Sequence, residues 1–123
     1  MPIDTNLVPG AYVNVRPLEG FEMETPWHRG RVLLIGDAAH PTTPQLASGA
    51  GIAVEDALVL AEEFTRGLPV EETLQAYTER REWRCRLVVS SSVKIGQLEQ
   101  ARAPVEEQTA IVEYALARLA EPV

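Results

Sequence analysis

The spacing of hydrophobic positions changes along this chain. From Ala11 to Leu18, Val13 and Val15 alternate with Tyr12, Asn14 and Arg16, the two-residue repeat of a half-buried strand that Pro17 would end. Residues 19–30 are polar and turn-prone, with Pro26 and Gly30 as punctuation and room for a short strand over Phe21 to Glu24. The run "RVLLI", residues 31–35, is continuously apolar and predicts a strand covered on both faces. Beyond a loop rich in Pro, Thr, Ser and Gly, residues Ile52 to Phe64 are apolar nearly all round except Glu55, Asp56, Glu62 and Glu63. That predicts a helix enclosed by other elements, ended by Gly67 and Pro69. Val70, Leu74, Tyr77, Arg81, Cys85 and Val88 then recur at spacings of three and four, continued by Ser92 and Ile95. A second helix from about Val70 to Gln100 follows, on the order of 45 Å long, with Gly96 as its weak point. Pro104 can open a last helix, striped by Val105, Val112, Leu116 and Leu119.

The expected fold class is α+β and mainly helical: two or three short amino-terminal strands followed by three to four helices. Two or three strands cannot form a sheet broad enough to cover "RVLLI" on both sides, so that strand expects neighbours from outside this set.

Charge and composition narrow the partners. Eleven basic against eighteen acidic residues leave a net charge of −7, which repels a phosphate backbone or an anionic bilayer and predicts neither nucleic acid nor membrane as partner. No apolar run reaches the roughly 20 residues of a membrane span. The single cysteine, Cys85, cannot close an intramolecular disulfide, and "MPIDTNLVPG" lacks the pattern of a secretory signal, so a reducing cytoplasm is the expected location.

The loop after "RVLLI" carries the chemistry. Asp37 stands where a buried strand releases the chain, a common place for ligand-binding groups in α/β proteins. An ionised carboxylate only accepts hydrogen bonds and therefore suits sugar or ribityl hydroxyls; the same group can instead order the turn through its own backbone amides. In "ASGAGIA", residues 47–53, small side chains let a flat ligand approach the backbone. The first amides of the following helix lack internal partners and carry the positive end of its dipole. The alternative is that small residues merely permit close helix packing. "GAGIAV" resembles half of a dinucleotide fingerprint, but twelve residues separate Gly36 from Gly49, whereas in that motif the glycines follow the strand directly.

Other residues are read as structural. His40 lacks companions at metal-ligand spacing and lacks a nucleophile to serve as a base, so no metal site is expected and His40 is read as pinning the loop. Arg80, Arg81, Arg84 and Arg86 lie among acidic residues and are expected to be solvated or paired with neighbours rather than to hold phosphate. Trp27 and Trp83 are expected to pack, and Cys85 to be a core thiol.

Taken together, "GRVLLIGDAAHPTTPQLASGAGIAVEDALVLAEEF" resembles the second flavin-binding motif of the flavin-dependent aromatic hydroxylases, the para-hydroxybenzoate hydroxylase family, with its salicylate and hydroxynicotinate hydroxylase branch the nearest in pattern. Gly36 to His40, Pro44, Gly49 and Glu55 to Ala57 fall in step with the family pattern, and "VRPLE", "PWHRGR" and "YTERREWRC" extend the likeness over roughly Ala11 to Gly96. The resemblance implies that Asp37 holds the ribityl chain of FAD. It also implies that the backbone around Gly49 and Ala50 faces the pyrimidine edge of the ring, and that Pro44 lines the space where substrate arrives. The cofactor-binding set it implies is Gly36, Asp37, Pro44, Ala47, Gly49, Ala50 and Gly51, with no catalytic side chain. Ala47 replaces a family glycine and narrows the loop. The family's G-x-G-x-x-G for the ADP half of FAD is missing from the sequence.

The resemblance further implies a remnant of an α/β FAD-binding domain. Residues 1–30 would be substrate-domain strands and connector, 31–103 the carboxy-terminal part of the FAD-binding domain, and 104–123 a terminal helix. A whole enzyme of this kind reduces FAD with NADH or NADPH and hydroxylates an aromatic acid or N-heterocycle with oxygen. The chain is expected to be a carboxy-terminal portion, inactive alone. Two alternatives compete: a non-enzymatic helical fragment forming a homo-oligomer through exposed apolar faces, and a small nicotinamide-binding module built on "GAGIAV".

Overall fold

The computed structural model describes residues 16–123. The strand expected over Ala11 to Leu18 therefore lies, for its greater part, outside the described residues. Among them the order is β1 (His28–Arg29), β2 (Val32–Leu33), a 3-10 turn at Gly36–Ala38, a second at Pro44–Leu46, then α1 (Gly49–Thr65), α2 (Val70–Gln100) and α3 (Val105–Leu119).

The two strands form a short antiparallel hairpin, with His28 opposite Leu33 and Arg29 opposite Val32. Gly30 turns the hairpin with φ +58°, a value that favours glycine. No strand forms at Phe21 to Glu24, although that segment runs beside the loop: the Phe21 amide donates to the Pro41 carbonyl and the Met23 amide to that of Ala39. "RVLLI" is not enclosed. Val32 is 67% exposed and Ile35 is also exposed, so the expectation of a strand covered on both faces is not met among the described residues.

The long helix α2 is the spine. Leu74, Tyr77, Arg81, Cys85, Val88, Ser92 and Ile95 are all buried, so the three-and-four spacing defines one inward face. Gly96 does not interrupt it; the helix runs through to Gln100, with the Gln45 side chain lying over Gly96. Against this spine pack α1, the Pro44–Leu46 turn and α3. Trp27, Ala39, Leu46, Ile52, Val59 and Ala115 complete the core.

Helix α1 overturns one expectation. It is not enclosed; it has two faces, and their polarity is reversed. Its buried positions are Ile52, Asp56, Val59 and Glu63, at helical spacing along one side. Its opposite side carries Ala50, Val54, Ala57, Leu58, Ala61 and Phe64, all exposed, with Glu62 and Thr65 the polar residues beside them; Val54 is 61% exposed, Leu58 60% and Phe64 50%. No helix among the described residues is long and apolar enough to cross a membrane.

Candidate functional site

Strand β2 delivers the chain to Gly36, which has φ +57°. A side chain there would also press on the Ala53 methyl at 3.3 Å, so glycine lets the turn lie against α1. The turn is closed by backbone: the Ala39 and His40 amides both donate to the Gly36 carbonyl at 2.9 Å. Asp37 takes no part in these bonds. The reading in which its carboxylate orders the turn fails: the carboxylate stands exposed and makes no hydrogen bond among the described residues.

The loop then folds back onto α2. The Leu46 amide donates to Ser92 Oγ at 3.3 Å, which accounts for a serine on the inward stripe of the spine. Ala47 ends the Pro44–Leu46 turn in the left-handed region, φ 53° and ψ 23°, a conformation glycine adopts more easily than alanine. The chain thus keeps the glycine-like path with an alanine. Helix α1 opens without a side-chain cap; Ser48 Oγ donates instead to the Leu46 carbonyl, and the first helical bond is from the Ile52 amide to the Ser48 carbonyl. The amides at the start of α1 are therefore left for water or a ligand.

These pieces enclose a cleft of about 520 Å³ lined by Asp37, Thr42, Thr43, Pro44, Ala47, Gly49, Ala50 and Ala53. Five residues singled out from the sequence, Asp37, Pro44, Ala47, Gly49 and Ala50, meet in it. Gly36 and Gly51 do not: Gly36 is buried behind the turn, and Gly51 faces a separate hollow near Leu116 and Leu119 of α3. A Cβ at Gly49 would come within 2.9 Å of the Thr42 methyl, so the bare backbone here is a requirement of packing as well as of access. Sequence reasoning missed Thr42 and Thr43, whose only signal was their place between the acid and the glycines; Ala53 fell at the end of the small-residue stretch but outside the cofactor-binding set.

Behind the cleft lies a buried charged network. Asp56 of α1 is fully buried. Its Oδ2 accepts from the Gly36 amide at 2.8 Å and from His40 Nε2 at 2.7 Å, while its Oδ1 accepts from Arg81 Nε at 2.8 Å and lies 3.8 Å from Cys85 Sγ. Burial alone would raise the Asp56 carboxyl, but hydrogen bonds from His40, the Gly36 amide and Arg81 outweigh it and hold its pKa below the ordinary value. An ionised Asp56 accepts only, so His40 Nε2 carries the proton. The His40 ring packs on Trp27, 5.4 Å between centroids. Arg81 also reaches Glu55 and the Ile52 carbonyl. Arg84 grips Glu55 with two hydrogen bonds and donates to the Leu119 and Glu121 carbonyls, fastening the end of α3.

His40, Asp56 and Cys85 offer ligand atoms within 4.8 Å of one another. Arg81 already occupies the carboxylate there, and its fixed charge opposes a cation. Burial, then the negative charge of Asp56, push the Cys85 thiol well above its ordinary range, so it is an inert core group. Arg80 and Arg81 pair across to α1 rather than along their own helix; only Arg86 with Glu82 makes the i,i+4 pair within α2.

A family model described as "FAD binding domain" matches residues 17–92, and the chain belongs to that family. It is 43% identical over 101 residues to YetM of Bacillus subtilis, whose name places it among FAD-dependent monooxygenases; the match covers 82% of this chain and 27% of that protein. It is 40% identical over 77 residues to 3-hydroxybenzoate 6-hydroxylase 2 of Aquipseudomonas alcaligenes, covering 62% of this chain and 24% of that protein. The structure of 2,6-dihydroxypyridine-3-hydroxylase from Arthrobacter nicotinovorans superposes with a TM-score of 0.64 at 30% identity, covering 69% of this chain and 21% of that one. The chain thus spans about a quarter of the length of these relatives. FAD is the cofactor of the family, and its members act as monooxygenases and hydroxylases.

Proposed function

We propose that this chain forms the part of an FAD site that receives the ribityl chain and the flavin ring, within a monooxygenase that uses NADH or NADPH to hydroxylate an aromatic acid or N-heterocycle. The observation that carries the reading is the meeting, in one cleft, of an unengaged Asp37 carboxylate and the uncapped start of α1. The residues suit the group chemically. The carboxylate accepts from ribityl hydroxyls. The amides of Gly49 and Ala50, at the positive helix end, donate toward the electron-rich edge of a ring and favour negative charge on it. Gly49 keeps side-chain atoms away from that edge, and Thr43 and Pro44 also line the cleft. Bound FAD would supply the redox chemistry with oxygen; this chain's residues bind and orient, and none is assigned as an acid or base. Residues 31–103 would be this portion of the FAD domain, with residues 1–30 and 104–123 flanking it.

Titration of the chain with FAD and with riboflavin, followed by flavin fluorescence, tests the reading. Weak saturable binding is expected for both, reduced roughly tenfold or more in Asp37→Ala, since a hydrogen bond to a charged group contributes about 1.5–3 kcal/mol. Binding unchanged by that substitution would refute the role of Asp37. The chain alone should not oxidise NADH or NADPH faster when a phenolic acid is added; stimulated oxidation would refute its inactivity. A second reading, self-association, is favoured by the apolar outer face of α1.

A further inference from the structure

We propose that Asp56 and His40 are positioning residues for Asp37: together they hold both ends of the Gly36–His40 turn and so aim the Asp37 carboxylate into the cleft. The inference rests on the flavin-site reading for its purpose, but its geometry is independent of any ligand. Asp37 makes no bond that fixes its own position; the residues just before and just after the turn do. The Gly36 amide and His40 Nε2 converge on the same atom, Asp56 Oδ2, at 2.8 and 2.7 Å, although they lie 20 and 16 residues away in sequence. The span between them contains only Asp37, Ala38 and Ala39, and the Gly36 carbonyl binds the Ala39 and His40 amides in turn. Moving Oδ2 therefore moves both anchors at once.

Asp56 is itself held. Arg81 takes Oδ1 at 2.8 Å and ties its remaining nitrogens to Glu55 and to the Ile52 carbonyl, one turn before Asp56 on α1. The carboxylate is consequently fixed from α2, the most deeply packed element, and Trp27 backs the His40 ring. The order of support runs from the spine through Arg81 and Asp56 to the turn, and only then to the exposed acid. A charged acceptor is required, because three donors, two from the ends of the turn and one from α2, point at one group; an amide in its place would turn its own NH₂ toward one of them.

A core ion network that only stabilises the fold would have the same distances, so the test separates aim from stability. His40→Ala and His40→Gln are made in the full 123-residue chain, with and without Asp37→Ala, and FAD affinity is read by flavin fluorescence beside thermal unfolding. Expected are a roughly tenfold or larger loss of affinity in His40→Ala, recovery to within a few-fold in His40→Gln, which restores a donor, and no further loss when Asp37→Ala is added to His40→Ala. Multiplicative losses in the double variant would overturn the proposal, because residues acting through one another are non-additive. So would affinity unchanged in His40→Ala. Amide NMR spectra of the ligand-free variants give a second readout. Shifts at Asp37 to Ala39 that appear in His40→Ala and revert in His40→Gln, while α2 resonances stay in place, support the clamp. An unmoved turn overturns it. Should the unaltered chain bind no FAD, the flavin-site reading fails, and these spectra still decide whether the turn is held this way.

Discussion

Helices α1 and α2 lie side by side, yet they obey opposite rules. Helix α2 buries its apolar stripe, from Leu74 to Ile95, as an amphipathic helix should. Helix α1 buries Asp56 and Glu63 and leaves Val54, Leu58 and Phe64 to solvent. The two are complementary: the buried acids of α1 meet Arg81 and Arg80 of α2, so the interface is part oil and part ion pair. The lesson is that the polarity of a helix face is set by the neighbour it packs against. Its inner face is satisfied by charge pairing with α2, and its outer face exposes Val54, Leu58 and Phe64.

The strongest way to break this contrast is to remove one side of the pairing. Arg81→Met leaves Asp56 buried without its Oδ1 partner and should destabilise by about 3–5 kcal/mol, read as a large drop in the thermal midpoint. Adding Asp56→Leu to it should recover much of that loss, since a buried pair replaced by packed apolar side chains is often neutral. If the double variant is no better than the single one, the two faces differ for reasons other than charge pairing.

Acid tests the same pairing without mutation. Burial raises the Asp56 and Glu55 carboxyls, yet their hydrogen bonds win, with His40 foremost at Asp56 and Arg84 at Glu55, and both end lowered. At Glu63 the hydrogen bond from Arg80 is the largest influence, and it too is lowered. A carboxylate with a lowered folded pKa stabilises above its unfolded pKa and loses that contribution as pH falls through the folded one. Stability should therefore hold from pH 7 to about 5 and decline below about pH 4.5, with the decline blunted in the Arg81→Met and Asp56→Leu double variant. Urea unfolding across that range measures it.

The outer face calls for the opposite kind of test. Val54→Lys with Leu58→Lys should abolish self-association seen by sedimentation while changing stability by no more than about 0.5 kcal/mol, as expected at exposed positions. A chain that is monomeric before the change would remove the second reading. The smallest effect is expected at Tyr77. Its ring is buried and its hydroxyl has no hydrogen-bond partner among the described residues, while burial, then the nearby Asp56 charge, push its pKa upward. Tyr77→Phe should be neutral or stabilising by up to about 1 kcal/mol; a clear loss in the thermal midpoint would mean the hydroxyl has an unseen partner.

How much was legible beforehand varies by residue. The limits of α2 could be read because one stripe of spacing three and four persists between Pro69 and the turn at Ala101, and each buried residue on it contributes to the same face. Arg81 and Ser92 fell on that stripe, but nothing local said why polar groups should sit there; their partners, Asp56 and Leu46, are 25 and 46 residues away. The motif from Gly36 to Ala57 singled out an acid, a proline and small residues, and five of them line one cleft. It did not announce that Thr42 and Thr43 would share the cleft, nor that Gly51 would line a separate hollow beside α3.

The sequence by itself determined the order of the elements and the family, because those follow from local spacing and motif. Only the tertiary structure decided which face of α1 is inside. Carboxylates read locally as solvent-seeking, and a buried one becomes stable only when donors from distant segments arrive together, as the Gly36 amide, His40 and Arg81 do at Asp56. That convergence is a property of the packed chain, and it is what places the exposed acid of the cleft.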